Sequence, residues 1–230
     1  MKRILLTISC MLVVGMIYSQ TILSTRLDYS LNLHSLSGNS LTNDNGYKFS
    51  PVNFGLNFNI HPVAYENKHF SFNLGVNYHN KRNGIDYDFL NPDQGYGNKK
   101  DYFSMNYLNF PLVFNYAIPL SDDEFALFIG AGGYTAYALN GNGKYTLNGN
   151  TTEVPVFSDD FQQLTGTQLK RWDSGLKFSL GIGSVYSKTG ILLEYERSLT
   201  NLSNNKNLNN SFKNGTFFLT FCISGFVVEL

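Results

Sequence analysis

Charged side chains are scarce in this sequence. Only 15% of its 230 residues are Asp, Glu, Lys or Arg, whereas soluble proteins usually carry about 25%. The 17 basic and 17 acidic residues also cancel, so nothing in the net charge favours binding to nucleic acid. These two shortages argue against a nucleic-acid-binding protein and against an ordinary soluble domain.

Long apolar runs are scarce too, and the only one is at the N-terminus. Lys2 and Arg3 precede an apolar segment at residues 4–18, and the small residue Ser19 follows it. This order is typical of a secretory signal peptide, and the segment is short for a transmembrane helix of about 20 residues. We expect residues 1–19 to be cleaved, leaving residues 20–230 as one domain. A retained membrane anchor is the alternative.

The sequence has only two cysteines, Cys10 and Cys222. Cleavage of the signal peptide removes Cys10, so Cys222 has no partner for an intrachain disulfide. An exported domain without disulfides needs another source of stability.

Amphipathic helical patterns are missing, and the pattern that recurs instead has period two. In the fourth such stretch, "YLNFPLVFNY", Leu108 and Phe110 alternate with Asn109 and Pro111. Eight stretches alternate in this way and predict eight strands, at residues 26–34, 52–60, 70–78, 107–116, 125–139, 175–183, 191–199 and 216–226.

One face of each predicted strand is bulky and apolar, and the other is mostly Asn, Gly, Ser and Thr. A soluble barrel needs its large residues inside and a surface that is about 25–35% charged. The reverse arrangement, with apolar residues outward and small polar residues inward, is typical of a transmembrane β-barrel. A soluble ligand-binding barrel is the alternative fold.

The predicted connections alternate between long and short along the chain. Outer-membrane barrels have this pattern, with long extracellular loops and short periplasmic turns. The sequence therefore predicts an all-β fold, an eight-stranded up-and-down antiparallel transmembrane β-barrel. Its longest connection runs from Asn140 to Arg171.

Pro111 lies in the middle of the fourth predicted strand. Proline cannot donate a ladder hydrogen bond, and a closed barrel has no free edge for it. By alternation Pro111 faces the lumen with Asn109, Val113 and Asn115. We predict a bulge or an omitted ladder bond at this position.

Five charged residues fall on the predicted lumen face, namely Arg26, Asp28, Lys177, Glu194 and Glu196. Two carboxylates allow acid–base chemistry. The favoured interpretation is a structural ion-pair network, because charges in a narrow lumen need partners. If "SKTG" closes a hairpin that pairs Tyr186 with Ile191, Lys177 lies opposite Thr200 instead of Glu196.

Other candidate motifs have simpler explanations. "GAGG" at Gly130–Gly133 resembles a phosphate-binding turn, but it lies inside a predicted strand, where it favours close packing. The acidic clusters at Asn43–Gly46 and Ser121–Glu124 could hold Ca²⁺ but also suit ordinary turns. The four histidines and Cys222 lack metal-site spacing. We therefore expect no catalytic residue, no metal and no cofactor.

Two motifs resemble a known family. "YLNFPLVFNY" is similar to the "YLEIPLLLKY"-type motif of small outer-membrane β-barrels of the PorT-like or porin family. "GLKFSLGIGSVYSKTGILLEYERSLTNLS" resembles the sixth and seventh strands of that family. The chain departs from the motif at Asn109 and Asn115, where the family usually carries Glu and Lys. The resemblance implies an integral protein of the bacterial outer membrane, and one branch of the family takes part in protein secretion.

These observations lead to an expected function. We expect a non-enzymatic barrel with a structural, adhesive or binding role carried by its outside loops, chiefly Asn140 to Arg171. The expected partners are outer-membrane lipid and envelope or secretion proteins, and the barrel is expected to be monomeric. A secretion-system component, a lipid-modifying enzyme and a solute pore are the alternatives.

Overall fold

The chain forms a closed ring of antiparallel strands. The computed structural model describes residues 21–38, 48–62, 69–86, 100–121, 125–147, 150–165, 169–184, 189–203 and 212–229. In this part of the chain the elements are β1 (Thr21–Gly38), β2 (Lys48–Pro62), β3 (Phe70–Asp86), β4 (Lys100–Ser121), β5 (Phe125–Leu147), β6 (Asn150–Pro155), α1 (Asp159–Thr165), β7 (Trp172–Ser184), β8 (Gly190–Ser198) and β9 (Phe212–Glu229).

Eight of these strands make up the ring. Each pairs antiparallel with its neighbours in the order β1-β2-β3-β4-β5-β7-β8-β9, and β9 returns to β1. This confirms the predicted eight-stranded up-and-down barrel. The short strand β6 lies outside the ring and pairs with the last residues of β5, Asn142–Leu147.

The ring closes with a fixed stagger. Direct cross-strand partners can be followed once around it through Ser24, Asn59, Asn73, Val113, Gly132, Lys177, Glu196, Thr216 and His34. The path returns to β1 at His34, which is 34 − 24 = 10 residues beyond its start. A shear of ten on eight strands corresponds to a strand tilt of about 40°. Such a barrel has an interior just wide enough to be filled by side chains.

The two faces of the wall have the predicted characters. On β2, for example, Phe54 is 58% exposed on the outside, whereas the neighbouring Asn53 is 0% exposed inside. Lipid supplies no hydrogen bonds, so only a sheet without free edges can span it.

No helix in the described part of the chain is long and apolar enough to cross a membrane.

The two ends of the barrel differ. Residues 63–69, 122–124 and 185–189 connect strands at one end, where Thr21 and Glu229 also lie. The opposite end carries the longer connections at residues 39–47, 87–99, 148–171 and 199–211. Since periplasmic turns are short and extracellular loops are long, we call the first end inner and the second end outer.

Several strands extend further than the alternation predicted. β4 continues to Ser121 and β5 continues to Leu147. The predicted long connection from Asn140 was therefore wrong at its start, because residues 140–147 continue a strand. The strand was missed because both faces of "NGNGKYTL" are largely polar or small above the membrane, so the alternation fades.

Pro111 interrupts one ladder and not the other. Between β3 and β4 the partners run from Leu74–Leu112 directly to Asn77–Asn109, so Phe110 and Pro111 have no ladder partner there. The register is the same on both sides of this gap. Towards β5 the ladder is continuous, with Pro111 opposite Tyr134. The predicted omitted bond is confirmed on the β3 side, and no bulge accompanies it.

Gly130 and Gly132 lie inside β5, and the space beside each is already occupied. A Cβ atom on Gly130 would meet Ser179 Oγ and Asn115 Oδ1 in the lumen. A Cβ atom on Gly132 would collide with the backbone carbonyl oxygen of Leu112 on β4. The prediction that "GAGG" serves close packing is confirmed.

Replacing Gly132 with a larger residue should therefore force two strands apart. We expect Gly132→Val to lower the free energy of unfolding by about 1–3 kcal/mol or more, as overpacking generally does. Urea unfolding of the barrel in lipid vesicles measures the change. Ala131→Val is the matched control, because Ala131 is exposed on the lipid face. Equal unfolding midpoints for the two variants would contradict this assignment.

Candidate functional site

The five charged residues singled out in the sequence all lie inside the barrel. Arg26 and Asp28 stand on β1, Lys177 on β7, and Glu194 and Glu196 on β8. Asp28, Lys177, Glu194 and Glu196 are 8%, 3%, 7% and 1% exposed. Burial of this kind requires each charge to have a partner.

Lys177 is the centre of this group. Its Nζ lies 3.0 Å from Glu194 Oε1 and 3.5 Å from Glu196 Oε1. The register places Lys177 directly opposite Glu196, so the position opposite Thr200 was wrong. The β7–β8 ladder reaches Gly183–Gly190, and Ser184 N donates to Thr189 O at 2.9 Å, so the two strands are joined two positions earlier in the chain than in the predicted "SKTG" hairpin.

Arg26 and Asp28 form a second pair nearer the inner end. Arg26 Nε lies 2.7 Å from Asp28 Oδ1, and Nη2 donates to Oδ2 at 2.7 Å. Asn57 Nδ2 also donates to Asp28 Oδ2 at 2.7 Å, and Asn57 in turn donates to Asn77 Oδ1 at 3.0 Å. Amides on β2 and β3 thus extend the pair around the inner wall of the barrel.

Two further charges join the network and were missed in the sequence. Lys81 Nζ lies 3.4 Å from Glu196 Oε2 and 3.8 Å from Asp173 Oδ2. The same ammonium lies 5.1 Å and 5.2 Å from the ring centroids of Tyr107 and Tyr134, within cation–π range. Lys81 was missed because it fell in a predicted connection, and Asp173 because it lies just before the predicted strand at residues 175–183.

Neutral side chains also donate hydrogen bonds to the three carboxylates. Asp173 accepts hydrogen bonds from Ser198 Oγ at 2.6 Å, Asn214 Nδ2 at 2.8 Å and Tyr134 Oη at 3.2 Å. Glu196 accepts one from Asn109 Nδ2 at 2.8 Å, and Glu194 accepts one from Thr220 Oγ1 at 2.8 Å. Both glutamates therefore face partners instead of an open substrate space, which favours the structural interpretation over acid–base chemistry.

Metal binding finds no support in the described residues. No group of three or more His, Cys, Asp or Glu side chains there is placed to hold an ion. His34 and His79 face the lumen on different strands. Of the acidic clusters weighed for Ca²⁺, residues 43–46 and 122–124 lie outside the described residues, as does the predicted signal peptide at residues 1–19.

A folded cap closes part of the outer end. We define the outer cap as residues 140–147, 150–165, 169–171 and 199–203. Its apolar side chains pack on inward-facing residues of the barrel wall, and the buried cluster comprises Met105, Tyr107, Tyr134, Ala136, Ala138, Val154, Val156, Phe161 and Leu202. Side chains from β6, α1 and the β8–β9 connection thus share one small core with β4 and β5.

Phe161 anchors α1 in this core. Phe161 is 5% exposed, and a Cβ atom on Gly143 would lie only 3.0 Å from its ring. The glycine therefore leaves the space that the ring fills. Ser158 caps the helix, because its Oγ accepts a hydrogen bond from Phe161 N at 3.2 Å and donates to Pro155 O at 2.7 Å. Asp159 and Asp160 in the first turn favour the same helix end.

Arg171 fixes the base of the cap to the wall. The β4–β5 register shifts between Asn106 and Tyr107, which leaves Leu139 as an extra residue on β5. Arg171 Nη1 donates to the carbonyl oxygens of Ala138 and Leu139 at 3.0 Å and 2.9 Å. Its guanidinium also lies 4.3 Å from the ring centroid of Phe157. A bulge leaves backbone groups unpaired, and Arg171 satisfies two of them.

The cap also joins two connections that are distant in sequence. Lys170 N donates to Leu202 O at 2.8 Å, and Lys170 Nζ donates to Asn201 O at 3.0 Å. Leu169 forms an isolated antiparallel bridge with Ser203. The β5–β7 and β8–β9 connections thus behave as one folded unit at the outer end.

Comparison with known proteins gives one family. The family model described as outer membrane protein beta-barrel domain matches residues 13–204. No curated protein matches the sequence.

Solved structures that resemble the chain are small outer-membrane proteins. OprG of Pseudomonas aeruginosa is 11% identical with a TM-score of 0.48, and the match covers 90% of this chain and 97% of that one. Ail, the attachment invasion locus protein of Yersinia pestis, is 14% identical with a TM-score of 0.40, covering 90% and 99%. Neisserial surface protein A is 11% identical with a TM-score of 0.39, covering 86% and 96%. Likenesses at this level carry no information about function.

Proposed function

Because the chain belongs to the outer membrane protein beta-barrel domain family, we propose that it is a binding protein of the bacterial outer membrane whose contacts are made by the outer cap. The observation that supports this is the folding of the cap. A segment that merely connected β5 to β7 would need neither a helix nor a strand of its own. Here both pack on a buried core, so the outer face of the cap has a defined shape.

The exposed face of the cap is polar and carries both signs of charge. Lys144 and Glu153 stand on β5 and β6 and form an exposed pair at 3.6 Å. Asp159, Asp160 and Gln162 on α1 are exposed as well. A polar face of mixed charge suits a protein or polysaccharide partner in the medium, because hydrogen bonds and charge pairs give such interfaces their specificity.

The test compares the native protein with a variant in which two exposed charges of the cap are exchanged and two are removed. Lys144→Glu, Glu153→Lys, Asp159→Asn and Asp160→Asn change exposed side chains only. We expect envelope or surface partners that cross-link to the native barrel in cells to be lost from this variant. Heat-modifiable migration on SDS gels checks that the variant barrel still folds.

A barrel with the turn at residues 122–124 replaced is the matched control, since it changes the inner end instead. Partners lost only from the inner-end variant would contradict a binding role for the cap. That result would favour a component of a secretion system, the alternative drawn from the PorT-like resemblance. Altered outer-membrane lipid in a deletion strain would favour a lipid-modifying enzyme instead.

A further inference from the structure

On three neighbouring strands, the lipid-facing side chains change from apolar to polar at the same height along the barrel. On β8 the outward series runs Ile191, Leu193, Tyr195, Arg197, and on β9 it runs Phe221, Leu219, Phe217, Gly215, Lys213. On β1 it runs Leu27, Tyr29, Leu31, Leu33, Ser35. Arg197 is directly opposite Gly215, which is directly opposite Ser35. This level is the outer boundary of the apolar band.

Three polar groups converge on the space above Gly215. A Cβ atom on this glycine would lie 3.3 Å from Arg197 Nη1, 3.5 Å from Ser35 Oγ and 3.7 Å from Tyr195 Oη. Lys213 stands two residues away on the same face of β9. We call Ser35, Tyr195, Arg197, Lys213 and Gly215 the boundary patch.

The described lipid-facing basic residues lie at the outer boundary of the apolar band and not at the inner boundary. No carboxylate in the described part of the chain lies within salt-bridge range of Arg197. Arg82 on β3 also faces outward near the outer boundary. At the inner boundary the described outward-facing side chains include no Lys or Arg, and the wall there is formed by residues such as Phe70, Tyr116 and Phe125. On the described part of the barrel, anionic head groups are therefore favoured at the outer boundary.

From these contacts we infer that the boundary patch binds a phosphate of the phosphorylated glycolipid that makes up the outer leaflet. A guanidinium, an ammonium and two hydroxyl groups are strong donors to phosphate oxygens. Just below these polar groups, the rings of Tyr195 and Phe217 pack in a tilted arrangement with their centroids 4.5 Å apart, and Leu193 and Leu219 are exposed. An acyl chain attached to the same molecule would lie along this apolar surface.

The experiment measures lipid retention by the complete barrel. Protein refolded in vesicles with equal amounts of lipid A and phosphatidylglycerol is extracted into mild zwitterionic detergent, and native mass spectrometry gives the ratio of the two lipids bound. We expect native protein to prefer lipid A, and Arg197→Gln with Lys213→Gln to lower the ratio by about ten-fold, because lipid A offers these cations more phosphate charge than phosphatidylglycerol does; ten-fold corresponds to about 1.4 kcal/mol.

Two further variants separate charge from geometry. Gly215→Val keeps both cations but fills the space between them, and we expect it to lower the ratio as well. Arg82→Gln removes an outward cation outside the patch and should leave the ratio unchanged. A ratio that falls equally in Arg82→Gln and the double variant would overturn the site. Lipid A that is removed by washing with inorganic phosphate would assign the patch to a free anion and overturn the lipid assignment.

Discussion

Replacing Lys177 with methionine is expected to lower the free energy of unfolding by about 3–5 kcal/mol, because it leaves buried carboxylates without their cation. Glu194 has its closest cation in Lys177 at 3.0 Å, and Glu196 loses one of its two lysines. Methionine has a similar length and fills the same space, so the loss is mainly electrostatic. Urea unfolding in lipid vesicles measures the difference.

Two variants isolate the cause of this loss. Lys177→Met combined with Glu194→Gln should recover part of the stability, because Glu196 still has Lys81 at 3.4 Å and Asn109 at 2.8 Å. Lys144→Met breaks the exposed pair with Glu153, and surface pairs contribute only about 0–1 kcal/mol. A double variant less stable than Lys177→Met alone would show that an unpaired charge is not the cause.

Replacing Phe161 with alanine should unfold the outer cap and leave the barrel closed. Truncating a buried phenylalanine generally costs about 3–5 kcal/mol, and here the loss falls on a small cluster of side chains. Stability differs between regions of a protein, so a local unit can open while the strand ring persists. We expect protease to cleave the variant between residues 150 and 170, with unchanged heat-modifiable migration.

Gln162→Ala is the matched control for this prediction. It changes the next residue of the same helix, but the Gln162 side chain is exposed, so protection from protease should stay at the native level. Equal cleavage of Phe161→Ala and the native protein would show that the cap does not depend on its core. Loss of the folded barrel band would show that cap and barrel unfold together.

The strand faces could be predicted from the sequence because every spanning strand separates lipid from lumen. Phe110 and Asn109 differ in character for that reason, and the difference repeats along each strand. Above the membrane the outward side of β5 meets water, and the buried side there consists of the glycines Gly141 and Gly143, so the segment from Asn140 to Lys144 carries no such signal. This is why the outer ends of β4 and β5 were assigned to connections.

The ion network could be predicted only in part, because it depends on register. Alternation placed Glu194, Glu196 and Lys177 on the inner face, but their pairing is fixed by the position of the β7–β8 turn along the chain. A tight turn at "SKTG" would have moved Lys177 away from Glu196. Asp173 precedes the apolar part of its strand, so no alternation marked it as a lumen residue.

The cap could not be predicted from the sequence. Its helix has only 7 residues, which is too short to show a helical period, and Phe161 is the one aromatic residue in it. The signals that could have identified it are local, namely Ser158 followed by two acidic residues, as at a helix N-terminus. Contacts between Lys170 and Leu202 join connections that no sequence pattern relates.

The pairing of β1 with β9 also determines the order in which the barrel can assemble. Ser30 and Thr220 are hydrogen-bonded at 2.9 Å although they are 190 positions apart. The β1–β9 ladder therefore cannot form before the final strand of the chain is available. Contacts of such long sequence separation form slowly. Until then β1 and β8 have unpaired edges, which lipid does not tolerate and which attract other strands. A chain interrupted before β9 is therefore expected to aggregate or be degraded instead of inserting as a smaller barrel.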